Sequence, residues 1–74
     1  SELPVPGSTN CTTDANMPLV VARLILKGHR DRSRKIIRQC EDPALFALPV
    51  GLTLGVLLDN PVQGYHELRK LLTS

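Results

Sequence analysis

Tryptophan is absent from this chain, and Phe46 and Tyr65 are its only aromatic residues. Any core must therefore be aliphatic, built from Leu, Val and Ile. Cysteine is almost as scarce. Cys11 and Cys40 stand 29 residues apart, which makes neither a zinc knuckle nor a C-x-x-C pair. The two histidines and two cysteines include no pair at i, i+3 or i, i+4, so no metal site and no cofactor is expected. Gly51 and Gly55 lack the Lys and Ser/Thr that follow in a phosphate-binding loop. The longest uncharged stretch, Pro43 to Leu58, has 16 residues. That is short of the roughly 20 needed to span a bilayer, and it holds Pro49, Gly51 and Gly55.

Catalytic groups are equally hard to assemble. Nucleophilic chemistry needs a nucleophile, a base and an orienting group together. His29 and Cys40 fall on one face of a helix but eleven residues apart, about 16 Å along its axis, too far for a dyad. The triplet His29-Arg30-Asp31 echoes a kinase catalytic loop without that motif's downstream residues, in a chain too short for a kinase. Glu41 and Asp42 are adjacent before a proline and read as helix-capping residues. No catalytic residue is assigned, and the chain is expected to be non-enzymatic.

What the chain does contain is a full complement for one small domain: 74 residues, 42% hydrophobic and 22% charged, a balance that argues against global disorder. Residues 1–16, SELPVPGSTNCTTDAN, have little to bury and read as a flexible N-terminal arm; residues 17–74 read as a single helical domain. The expected fold is all-α, a small bundle of four to five short helices.

A first helix is expected from Met17 to Lys27, with Asn16 as cap, Pro18 in the first turn and Gly28 as stop. Its apolar residues cover most of the circumference, so it should be nearly surrounded, and a buried strand is the competing reading. A second is expected from Arg30 to Gln39 or Cys40, with the stripe His29, Ser33, Ile36, Ile37 and Cys40 facing inward. Asp42-Pro43 starts the uncharged run. It reads as a short helical turn before Pro49 and a buried helix from Val50 to Leu58, with a strand over 50–56 as the alternative. Asn60-Pro61, with Gln63 placed as in a capping box, opens a last helix to Leu72, with Tyr65, Leu68, Leu71 and Leu72 as its apolar face.

Charge is concentrated in one place. Lys27 to Arg38 hold six cations and one anion, +5, and the remainder sums to −3, giving the net +2. The outline of two helices about Gly28 suggests a helix-turn-helix, but Lys27 and His29 flank the turn where apolar residues belong. The basic face is crowded with cations rather than base-reading side chains. Arg30, Arg34, Lys35 and Arg38 are therefore a candidate partner-binding face suited to an acidic surface or to phosphates.

The second candidate surface is apolar. Two glycines four apart make a strip that another backbone can approach. Two nearly encircled helices also exceed what two amphipathic ones can cover. Val50, Gly51, Leu54, Gly55 and Leu58 are therefore expected to form an apolar interface with a partner or a second copy. The function expected is a small regulator or adaptor that binds another protein, as a homodimer; the alternative is a DNA- or RNA-binding regulator using residues 30–40. No signal or lipidation motif is visible, which excludes little; the expected compartment is the cytoplasm, with secretion left open. A secreted, disulfide-linked peptide with a glycan on Asn10, in the sequon Asn10-Cys11-Thr12, is a third reading.

Overall fold

The computed structural model describes residues 14–73. The described chain is all-helical: α1 Met17–Leu26, α2 Arg30–Arg38, α3 Pro43–Leu57 and α4 Pro61–Thr73. Most of the expected arm, with the Asn10 sequon and Cys11, lies outside the described residues, as does Ser74. Residues 14–16 form a turn, in which the Asn16 amide donates to Asp14 Oδ1 at 2.9 Å and the Met17 amide to the Asp14 carbonyl at 3.1 Å. The Asn16 side chain does not cap α1, contrary to the expectation; Asp14 organises that entry instead.

The helix ends follow local chemistry closely. At the end of α1, Gly28 takes φ +90°, the Gly28 amide donates to Ile25 O and the His29 amide to Leu24 O. This is a Schellman closure, which needs a left-handed residue at its pivot. The end of α3 repeats it with Asp59 at φ +53°: the Asp59 amide reaches Val56 O and the Asn60 amide reaches Gly55 O. Asp42 Oδ1 accepts the Leu45 amide at 3.1 Å, and Asn60 Oδ1 accepts the Gln63 amide at 3.1 Å. The reciprocal half of a capping box at α4 is not made: the Asn60 amide donates to Gly55 O, and Gln63 Nε2 donates to Glu67 Oε2 at 2.8 Å.

The uncharged run is one helix of 15 residues, not two pieces and not a strand, and Pro49 lies inside it. An interior proline costs about 3 kcal/mol through a lost hydrogen bond and a ring clash. The carbonyl left without its amide donor belongs to Leu45, a residue on the exposed side of the helix. Continuity through Pro49 keeps Phe46, Val50 and Leu54 in one register, and all three are buried.

α3 is the spine of the fold. It makes its broadest contact with α4 and the next broadest with α1, while α2 packs chiefly on α1. One buried cluster joins the four helices: Met17, Val21, Ala22 and Ile25 of α1, Ile36 and Ile37 of α2, Phe46, Val50 and Leu54 of α3, and Leu68 and Leu71 of α4. The buried Ser33 hydroxyl donates to His29 O at 2.7 Å, so its burial leaves no unmatched polar group. α1 is less enclosed than expected, with Val20 and Leu26 exposed.

Candidate functional site

On α3, three stripes run along one apolar cylinder. Phe46, Val50 and Leu54 recur every fourth residue and face the core. Gly51 and Gly55 occupy the next stripe and face α4. Leu45, Leu48, Leu52 and Val56 occupy the third, and among the described residues nothing covers them. They are 55%, 66%, 74% and 78% exposed.

The expected apolar interface is thereby corrected. Val50 and Leu54 are fully buried in the protein's own core, and Gly51 and Leu58 are half-buried. Gly55 is buried because the backbone that approaches it is that of α4. A methyl group on Gly64 would lie 2.5 Å from Gly55 Cα and 3.0 Å from Gly51 O, and one on Gly55 would lie 3.0 Å from Pro61 Cα. The glycine strip thus serves the contact between two consecutive helices, with a third glycine, Gly64, completing it.

The surface open to a partner is the neighbouring one. A groove of about 910 Å³ runs between α3 and α4, with Gly51, Gly55 and Leu68 along its length, Leu48, Leu52 and Val56 on one side and Tyr65 and Leu72 on the other. Among the described residues, its ionisable lining besides Tyr65 is Asp59 and Arg69. Tyr65, expected to face inward, is 62% exposed and stands at this groove. A second hollow of about 400 Å³ lies between Ala15 and Pro18 on one side and Leu45, Leu48 and Pro49 on the other. Leu48 borders both hollows, so the α3 stripe forms a ridge with a depression to either side.

Sequence reasoning missed this ridge because it broke the run at Pro49. The spacing 45, 48, 52, 56 is helical only if the helix continues through the proline.

The basic face is also rearranged. Lys35 and Arg38 are exposed and Arg30 is half-buried. Arg34 is not part of a free surface: its side chain is only 18% exposed, Nε donates to Leu71 O at 3.1 Å, and a terminal guanidinium nitrogen pairs with Asp31 at 2.9 Å. Leu71 O is one of the last carbonyls of α4, which lack helical donors, and a cation there also matches the helix dipole. Arg34 therefore fastens α2 to the end of α4.

Cys40 is buried and disulfide-bonded, and the chain's one other cysteine is Cys11. Its sulfur lies 3.1 Å from the Ile36 carbonyl oxygen. A cysteine so held offers no thiolate nucleophile. Among the described residues no three His, Cys, Asp or Glu side chains gather where they could hold a metal ion, and no helix is long and apolar enough to cross a membrane. No family model matches the chain, and no similar curated protein or solved structure was found.

Proposed function

We propose that the protein is a small non-enzymatic regulator or adaptor that works by protein–protein binding through the ridge and groove of α3 and α4. One observation carries this reading: four large aliphatic side chains stand more than half exposed in a single stripe on an uncharged helix. Isolated exposed leucines are ordinary, but a contiguous apolar patch beyond a few hundred Å² marks an interaction surface. The groove beside it offers small residues against which an inserted side chain packs closely, which is how anchor residues gain most of their binding energy.

The nucleic-acid reading loses ground, because Arg34 is occupied within the fold and Lys35, Arg38 and Arg32 remain as the exposed cations of α2. The disulfide at Cys40 moves the favoured compartment from the cytoplasm to an oxidising one, where such bonds persist.

A photo-cross-linking residue in place of Leu52 tests the binding face, with the same residue in place of Lys35 as the comparison. In the native host, the position-52 probe should link to protein and the position-35 probe should not. Cross-linking from position 35 alone would refute the apolar face as the binding surface.

A further inference from the structure

We propose, on the reading of this face as a binding surface, that its occupant is a second copy of the same chain. Each copy's ridge, Leu48, Leu52 and Val56, seats in the α3/α4 groove of the other about a two-fold axis.

Shape gives the first argument. Ridge and groove lie side by side on the same pair of helices and share their lining residues. A convex apolar stripe beside a concave apolar trough is self-complementary: a two-fold rotation brings each ridge over the opposite trough. Such an isologous contact closes on itself and leaves no unsatisfied copy to propagate a fibre.

Charge gives the second. No ionisable side chain occurs from Pro43 to Leu58. A partner helix carrying charges at its contact positions would have to strip them of water against this surface without compensation. A second α3 brings none. The groove's two ionised residues, Asp59 and Arg69, are of opposite sign, so apposing two copies gathers no excess of one charge.

Area gives the third. Leu45, Leu48, Leu52, Val56, Val62 and Tyr65 are each more than half exposed. At roughly 100 Å² apiece they present about 600 Å² of apolar surface, near the 800 Å² or so that each partner contributes to a standard stable interface. With the groove floor added, two copies meet that requirement from this face alone.

Other occupants fit less well. A small apolar ligand lying in the groove would leave the tops of Leu52 and Val56 wet. Residues 1–13 contain two aliphatic side chains, Leu3 and Val5, too few to cover the ridge.

Sedimentation velocity of the full chain from about 1 to 100 μM tests the proposal. The wild type should sediment as a dimer across the upper part of that range. Leu52→Glu should raise the dimer Kd by about a hundredfold or more, the loss typical of a central anchor residue. Lys35→Glu should leave it unchanged. A wild type that stays monomeric at 100 μM overturns the proposal without reference to any variant. Geometry is tested on the wild type as well, in an equimolar mixture of 13C-labelled and unlabelled chain. Filtered NOEs from Leu48 or Leu52 methyl groups to the Tyr65 ring of the other copy support it; a dimer whose intermolecular NOEs arise from α2 overturns it. A monomeric wild type that still cross-links another protein from position 52 would remove self-association and leave the binding face standing. A monomer with no such cross-link would remove both.

Discussion

Gly64→Ala should destabilise this protein more than any other single added methyl group on the α3/α4 contact. Gly64 is buried where α4 crosses α3, and the methyl would lie 2.5 Å from Gly55 Cα, closer still to Gly55 N, and 3.0 Å from Gly51 O. Carbon atoms in good contact sit about 3.5–4.0 Å apart, so the crossing must open by about 1 Å. All three atoms are backbone, so no side-chain rotation can absorb the clash. Overpacking of this kind costs about 1–3 kcal/mol, and the rigidity of the neighbours argues for the upper part of that range. Alanine's better helix propensity returns up to about 1 kcal/mol. The net loss should be about 1–2 kcal/mol. The same substitution at Gly51 meets only Leu68 Cδ2, at 3.1 Å, the mobile end of a side chain. There propensity and packing nearly cancel, and Gly51→Ala should be close to neutral. Urea and thermal melts followed by circular dichroism read both, and for a domain of this size the loss at Gly64 corresponds to a fall in Tm of at least about 4 °C. A Gly64→Ala protein as stable as the wild type, or one less affected than Gly51→Ala, would refute the intrachain crossing and return the glycine strip to the list of surfaces awaiting a partner.

Gly28→Ala should cost about 1–2 kcal/mol by thermal melt, because the residue sits at φ +90° with no atom within 4 Å of the added methyl, leaving backbone strain as the sole cause. Arg34→Glu should lose about 1.5–3 kcal/mol in urea titration, as the charge-assisted bond to Leu71 O disappears and the new carboxylate faces Asp31, whereas Lys35→Glu should change stability by under about 0.5 kcal/mol; equal effects would show that Arg34 is not a fastening. Reduction should lower stability by about 2–4 kcal/mol, the typical contribution of a native disulfide, since the buried Cys40 is disulfide-bonded; matching melts with and without reductant would contradict it.

Most of the helical boundaries were readable from punctuation. Asp42-Pro43, Asn60-Pro61 and Gly28 each act through the backbone groups of their own turn, so their effect is local and their meaning is carried by a few adjacent residues. The inward stripe of α2 was readable for a related reason. Ser33, Ile36, Ile37 and Cys40 stand out against the charged residues around them, and a strongly two-sided helix has one way to face; His29, read as the start of the same stripe, is exposed at the turn before the helix. Two local signals misled. Asn16 is a good capping residue, but Asp14 reaches the same turn first. Pro49 is a good helix breaker, yet burial of Phe46, Val50 and Leu54 along one continuous register outweighs its cost.

The orientation of α3 was not legible, and the reason is general to helices that are apolar all round. Periodicity encodes direction through contrast, and from Pro43 to Leu58 there is no charged residue to supply any. The glycine pair was recognisable as a place of close approach, but a close approach does not say whose backbone arrives. What decided it lies in the next helix: Gly64 stands nine residues after Gly55, on the far side of a turn tight enough to fold α4 straight back. Three glycines, two on α3 and one on α4, then meet within one chain. Once that contact takes one face of α3 and the core takes another, the leucines on the third face are left over. Their exposure is thus a consequence of how the glycines pair. If the glycine crossing fails its test, the argument for the ridge as a docking surface fails with it.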